Sequence, residues 1–509
     1  MLNGNTVKGF AAQVLVFIIT AVTGLFFTPY LLSEIGVEAY AFFPLSFSII
    51  NYAGVFTLLF TSVLGKFITV EYHSGNYLKM NEYFNSSLAG NLIIGVLIGF
   101  PLIIISDSAD RIFDIPPYLL WDIKILFLTV TAVFFITHIR SPFIVANIAT
   151  GKRYLTAFQK LIERLVIVLI PIIFFNITRA SVIHIGAGAL AAVSVRAVIT
   201  IKTQKKIMPE LVVSKKYISI STAKKVFLSG LRYFVIQLTL LLGSNIEAVL
   251  LNIISGSEVL LIYAPSVILP NLIRMMVVYI TNYFLPYLAL YIENENHIEL
   301  KKSIPQFVKY MSLFMAVIVS SAVGFGDVLL KIWLGSLMTN EMYIMMILSL
   351  ASVFITGSFS VLYSVLMIRD KIRIPAVVML GFGILNIPLS VIFSSVFNIY
   401  GVLVSSLVIS ILGYLIFIPA YFSKALKLGF KEFYPLLLKG FILIAVGVTL
   451  SGIIKLLFDI TGVVELAVAL IFVVFILLLI IFMFILKRED LSFIGKMIKK
   501  AQKKYFEEF

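Results

Sequence analysis

Residues 463–487 read VVELAVALIFVVFILLLIIFMFILK, with Glu465 the one charge before Lys487. A helix rising 1.5 Å per residue needs about 20 predominantly apolar residues to cross about 30 Å of hydrocarbon. This run therefore reads as a transmembrane helix. The same test, carried outward along the chain, marks about fourteen such runs. They lie near 9–32, 39–65, 84–106, 121–147, 157–176, 180–201, 226–252, 257–290, 304–326, 341–368, 374–396, 399–423, 432–456 and 463–487. Ten-residue segments of alternating polarity are absent, so the bundle is helical and not a barrel. The fold class is an all-α polytopic membrane protein. The first span is too long for a signal-peptide core and lacks a small-residue cleavage site, so it is expected to stay in place.

The composition agrees. Of 509 residues, 61% are hydrophobic and 13% charged, with a mean hydropathy of +1.08, far from the half-apolar, quarter-charged make-up of a soluble domain. The chain has no cysteine and four histidines, which removes thiolate metal sites and leaves little for a haem or zinc centre. No P-loop, GxSxG elbow or HExxH stands in the sequence, so ATP hydrolysis and the common hydrolase chemistries lack support. The expectation is a non-enzyme with no cofactor and no metal. Asp107 and Asp110 are similar to a metal-binding acid pair, but they lack the supporting ligands such a site needs. Forty basic against 25 acidic residues give a net +15, which in a membrane protein reports orientation and not nucleic-acid binding.

Lys and Arg in short connections stay on the cytoplasmic side. Here they crowd both ends and the connections after even-numbered spans, with seven lysines in 202–225 and further clusters at 301–302, 369–373, 424–431 and 487–504. The opposite connections hold Arg111, Arg179 and Lys331. Both termini are expected in the cytoplasm, with the chain in the cytoplasmic (inner) membrane of a bacterium or archaeon. No outer connection exceeds roughly 15 residues, too short for an outer catalytic domain. Residues 202–225, with alternating Ile, Val and Ser among the lysines, read as a connector on the cytoplasmic leaflet. In the tail, Leu491, Ile494, Ile498, Ala501 and Tyr505 share one helical stripe with the lysines largely off it, the pattern of an amphipathic helix on anionic membrane lipid.

An internal repeat shows at one offset. Ile35-Gly36-Val37-Glu38 matches Ser255-Gly256-Ser257-Glu258, Pro44 matches Pro265, Asn51 matches Asn271, Asp110 matches Asp327, and the run from Val133 to Thr137 echoes Ser352 to Thr356. These pairs lie roughly 217 to 221 residues apart, mapping spans one to six onto seven to twelve in the same orientation. The expected organisation is a six-helix lobe at 1–201, the basic connector 202–225, a second six-helix lobe at 226–423, two additional spans in 424–487 and the cytoplasmic tail 488–509.

At these motifs the chain resembles a known family. Gly243-Ser-Asn-Ile-Glu247, followed by Ser255-Gly-Ser-Glu258 and Tyr263-Ala264, resembles the seventh-helix signature of polysaccharide and O-antigen flippases in the multidrug/oligosaccharidyl-lipid/polysaccharide exporter superfamily. Gly326 to Gly335 is similar to that family's segment after helix nine, and Leu385 to Ser390 with Tyr400-Gly401 to its corner between helices eleven and twelve. The resemblance implies two lobes, a central cavity and alternating access. It implies export of an undecaprenyl-diphosphate-linked glycan from the inner to the outer leaflet for surface polysaccharide biosynthesis. Spans thirteen and fourteen would line the lipid tail's groove, and polysaccharide polymerase or glycosyltransferases would be working partners. The first span lacks the interior arginines of relatives that export cell-wall precursor, which argues against that substrate. Two rivals stay open. A drug/cation antiporter of the same superfamily predicts acid-lined cavities and twelve spans; a membrane glycan polymerase or ligase usually needs a large outer loop.

Ionisable residues inside the spans mark candidate sites, since an Arg or Lys at a helix centre costs about 2.5 to 3.5 kcal/mol on insertion scales. Arg274 lies well inside span eight, with Asn271 one turn before it and Asn282 further along the same stripe. Its guanidinium suits a diphosphate better than an ammonium does, and the competing reading is a structural pair with Glu247. Arg232 and Glu247 sit about 22 Å apart on span seven, with Asn245 between them. Arg232 meets an entering head group or snorkels to the interface. Glu247 holds a proton, a sodium ion or Arg274, and in the first two cases couples transport to a proton or sodium gradient. Lys66 and Arg140 are the substrate-binding candidates of the first lobe. His138 reads as a packing residue ahead of a proton relay, and Glu163 and Arg164 as local partners of Lys160.

Single cysteines in this Cys-free chain test the orientation. A cysteine at Lys206, Lys302 or Arg373 should resist an impermeant maleimide applied to intact cells, while one at Glu38, Asp110 or Lys331 should react. Labelling at position 206 from outside refutes the topology.

Overall fold

The computed structural model describes residues 4–152, 154–242, 246–293, 297–369, 371–426, 429, 433–486 and 490. Among these residues every regular element is helical, as hydrocarbon demands of a backbone that cannot reach water. Helical runs stand at each expected span: Gly4–Ile35, Val37–His73, Tyr77–Asp107, Pro117–Ala149, Tyr154–Ile177, Val182–Ile207, Ile220–Leu242 with Glu247–Ser255, Ser257–Ser266 with Ile268–Glu293, His297–Gly324, Asn340–Ile368, Arg373–Phe397, 398–426, Tyr434–Leu457 and Val463–Ile485. By length and apolarity, ten described helices qualify to cross a membrane, or eleven if Ser257–Ser266 and Ile268–Thr281, bent by 48°, make one span. That count takes Arg373–Leu426 as one stretch, although Asn398 at φ 51 turns a corner inside it. At this corner a Cβ on Gly401 would lie 2.2 Å from the Ser394 backbone nitrogen. Tyr154–Ile177 and Ile220–Leu242 fall outside the count and carry three charges each, Lys160, Glu163 and Arg164 in one and Lys224, Lys225 and Arg232 in the other.

The repeat is visible in the backbone. Gly36 and Gly256 end their helices at φ 81, ψ 161 and φ 85, ψ 175, a region open in practice to glycine alone. Contacts divide the chain into two compact units, Met1–Leu261 and Ile262–Phe509, so the division falls inside span eight, and span seven packs with the first unit.

In unit one, Ile220–Leu242 lies against the helix Leu58–Thr61. A Cβ at Gly230 would come 2.1 Å from the Leu59 carbonyl oxygen, so the approach requires glycine. A core of Phe60, Leu64, Ile68, Met80, Phe84 and Phe143 fills the basic end of this unit, with Phe84 edge-on to Phe143 at 5.3 Å. The connector is bound to this end by asparagines. Asn81 Nδ2 donates to the Glu210 carbonyl at 2.9 Å and its Oδ1 accepts from the Val212 N–H at 2.7 Å. One turn on, Asn85 Nδ2 donates to the Val212 carbonyl and its Oδ1 accepts from Ser214 N–H, both at 2.8 Å. Two amides on one helix thus imitate the edge of a strand and satisfy the extended connector's backbone.

In unit two, Tyr434–Leu457 packs along His297–Gly324 on a seam of small residues. A Cβ at Gly440 would lie 2.5 Å from Ser312 Oγ, one at Gly447 2.5 Å from Ser320 Oγ, and one at Gly324 2.3 Å from Ser451 Oγ. Because 312, 320 and 324 meet 440, 447 and 451 in ascending order, the two helices run parallel. Such seams replace the hydrophobic effect, which lipid removes, with close van der Waals contact. After span fourteen, buried Asp490 accepts from Lys309 Nζ at 2.7 Å and from the Tyr310 hydroxyl at 2.8 Å. That contact joins the chain beyond span fourteen to the first half of the helix His297–Gly324.

Replacing Asn81 and Asn85 together by leucine should free the connector, each lost bond weakening its docking by about 1 kcal/mol. Trypsin cleavage after Lys215 and Lys216 in detergent should accelerate. An unchanged cleavage rate refutes the ladder.

Candidate functional site

In unit two, Asn271 and Arg274 lie one turn apart on Ile268–Glu293. Arg274 Nη1 donates to Asn271 Oδ1 at 3.0 Å, with Arg274 half-buried and Asn271 exposed. Tyr414 lies within electrostatic reach of Arg274; its ring is 6.4 Å from that of Tyr363 on Asn340–Ile368. The Tyr363 hydroxyl is buried without a hydrogen-bond partner among the described residues. Tyr414 sits in the π-helical segment Ile411–Phe417, where an extra residue per turn re-aims the side chains that follow. A guanidinium, an amide and phenols in this arrangement offer N–H and O–H donors to an anion. The tyrosines were not among the residues singled out from the sequence, because a π-turn leaves no mark in hydropathy; Gly413, whose Cβ would meet Met379 Cε at 2.9 Å, is the nearest signal.

In unit one, buried Glu247 opens the helix Glu247–Ser255, where the helix dipole favours its charge, and it lies within electrostatic reach of Tyr52. Lys66 is exposed on Leu64–His73. Arg140 is 5% exposed at the end of Leu120–Arg140. Glu163 lies within electrostatic reach of Lys160, as its spacing suggested, but its hydrogen bond crosses between helices: its carboxylate accepts from Arg196 Nη1 on Val182–Ile207, because positions 163 and 196 face each other across two packed helices. Buried His138 is a packing residue. Its ring lies 4.0 Å from that of Phe134 and its Nδ1 contacts the Phe134 carbonyl at 3.2 Å. Asn245, the side chains of Arg232 and Asn282, and the tail beyond Asp490 lie outside the described residues.

The short helices at the opposite end carry the repeat-related acids. Asp110 pairs with Lys124 at 2.8 Å and Asp327 with Lys455 at 2.9 Å. The Lys124 ammonium holds the Asp110 carboxyl below the usual carboxylate range. No group of three potential metal ligands occurs among the described residues, and Asp110 serves as half of an ion pair. Unit two also contains a cavity of about 870 Å³ with an almost wholly apolar lining. Ile273 and Ile280 line it from span eight, Met311 and Phe314 from span nine, and Leu470 and Val474 from span fourteen. On the span-nine side it extends from Phe307 to Ala322, about 22 Å along the helix.

No protein-family profile matches the chain. It is 26% identical over 435 residues, 85% of each chain, to the uncharacterized membrane protein EpsK of Bacillus subtilis (strain 168). An inward-facing MATE multidrug resistance transporter of the MOP superfamily superposes with a TM-score of 0.67 at 13% identity, covering 83% of this chain and 99% of the transporter. The lipid II flippase MurJ, in an inward closed conformation, also gives 0.67 at 14% identity, covering 94% of this chain and 98% of MurJ. The chain is a multi-pass membrane protein with the all-helical, two-lobed fold of these transporters.

Arg274→Ala should abolish export of the chain's substrate, whatever its class, while the protein still accumulates in the membrane, and Arg274→Lys should restore part of it, since charge returns without the planar fork. Full export by the alanine variant rejects the site. Glu247→Gln separates the two roles open to that carboxylate: if it couples an ion, gradient-driven transport in proteoliposomes is lost while substrate binding survives.

Proposed function

We propose that this chain is a flippase that moves an undecaprenyl-diphosphate-linked oligosaccharide from the inner to the outer leaflet of a prokaryotic cytoplasmic membrane, without covalent chemistry, for surface polysaccharide biosynthesis. The observation that carries the reading is the apolar cavity of about 870 Å³ beside span fourteen. Lipid is as apolar as this lining, so an isoprenoid tail gains position and packing there and not hydrophobic transfer energy. A groove of this kind suits a substrate that stays half in the membrane, and its almost wholly apolar lining offers a hydrophilic cation no counter-charge. Span fourteen supplies one wall, and the flippase MurJ matches 94% of this chain where the multidrug transporter matches 83%, which favours a lipid-linked substrate over a drug.

The diphosphate would be held by Arg274 and Asn271, with Arg232 and Lys66 meeting the entering head group. Exchange between inward-open and outward-open states would follow the alternating access of repeated transporters. An inward proton or sodium gradient acting at Glu247 would bias that exchange. Both termini would be cytoplasmic, and glycosyltransferases or a polysaccharide polymerase would act before and after it.

Fluorescent polyprenyl-diphosphate oligosaccharide in proteoliposomes tests the proposal. Quenching from outside should extend from the outer-leaflet fraction to nearly all of the probe. Leu470→Trp with Val474→Trp, which fill the groove, should slow it at least about tenfold, the effect of about 1.4 kcal/mol on a barrier. Efflux of a cationic dye without movement of the lipid would instead establish the antiporter.

A further inference from the structure

The first lobe buries a group of cations whose donors are not matched by acceptors. Arg140, at the end of span four, and Arg196, in span six, are 5% and 7% exposed and lie within electrostatic reach of each other, of Glu163 and of Lys160 on span five. Glu163 is committed to Arg196 Nη1. Gln159, 1% exposed, uses its Oε1 to accept from Thr200 at 3.1 Å. Four donor atoms then have no acceptor among the described residues: Arg140 Nε and Nη1, Arg196 Nε and Gln159 Nε2.

Each of these atoms is a donor. A buried N–H without an acceptor costs about 1 to 3 kcal/mol, and more when it belongs to a charged group. Water could satisfy the hydrogen bonds but not the charge. Two guanidiniums and one carboxylate leave a surplus of one positive charge, and the exposed Lys160 ammonium at the rim adds another. In a medium of low dielectric, like charges at this proximity repel strongly unless a counter-charge stands with them.

We propose that Arg140, Arg196 and Gln159 form a buried anion site joining spans four, five and six of the first lobe, occupied by a compact anion, either chloride or a phosphate group. Burial sets the class of ligand: donors only 5%, 7% and 1% exposed suit a small anionic group, and Arg140, read from the sequence as a substrate contact, is reassigned to this site. Its anion ties three helices together and cancels the surplus charge that would otherwise drive Arg140 and Arg196 apart.

The test uses the full chain, purified in detergent, freed of lipid and exchanged into gluconate, a bulky and weakly coordinating anion. Chloride, inorganic phosphate and phosphatidylglycerol are added back separately while the apparent unfolding temperature is followed. The site predicts a saturable rise with at least one of them. A response to chloride or phosphate alone identifies a free anion, and a response to phosphatidylglycerol alone identifies a lipid phosphate. Arg140→Gln should weaken the apparent affinity about tenfold or more, since it deletes charged donors. Should that variant fail to fold, Gln159→Leu removes the neutral donor and should shift the same titration less. No response of the wild-type chain to any of the three overturns the proposal and assigns the donors to water.

Discussion

A polar group carried into hydrocarbon has no water to return to, and this fold is organised around finding such groups a partner inside the chain. Many hydroxyls turn back on their own helices: Ser62 and Thr69 each donate at 2.6 Å to the carbonyl one turn earlier. Where helices meet, the same groups work across the contact. Ser352 and Ser410 share a hydrogen bond of 2.6 Å, and Ser405 donates to Asn386 Oδ1 at 2.5 Å across the corner after span eleven. Charges follow the same rule in the pairs Glu163 with Arg196 and Lys309 with Asp490. These contacts specify which helices are neighbours, a task that apolar surface cannot perform where the solvent is itself apolar.

The two halves solve one problem in different ways. Asp110 and Asp327 occupy matching positions in the first turn of short helices, and each needs a cation. In the first half it comes from Lys124, fourteen positions along the same connection into span four; in the second it comes from Lys455, at the end of an added span. Span thirteen is thus held at one end by an ion pair and along its length by the Gly440, Gly447 and Ser451 seam. Its partner, span fourteen, is in turn free to present one face to the apolar cavity.

Under the proposed function the second lobe carries both ends of an amphiphilic substrate's requirements on a single helix. Ile268–Glu293 presents Asn271 and Arg274 with Tyr414 of a π-turn nearby, and Ile273 and Ile280 toward the groove. A helix that separates polar and apolar ligands by face couples them rigidly, so movement of one carries the other.

The sequence by itself determined that the chain is helical and where the apolar helical runs stand, because spanning length and apolarity are local properties that each segment declares alone. It also determined the repeat, whose glycines were legible since only that residue adopts their backbone angles, and the polar stripe that sets Asn271 one turn from Arg274. The tertiary structure decided what lies far along the chain: that Glu163 meets Arg196, that Asn81 and Asn85 bind the connector's backbone, that Tyr414 reaches Arg274, and that span fourteen walls a cavity with spans eight and nine. Each of these depends on which helix faces which. In hydrocarbon that choice is made by paired polar groups and small-residue seams distant in sequence, so no single segment contains it.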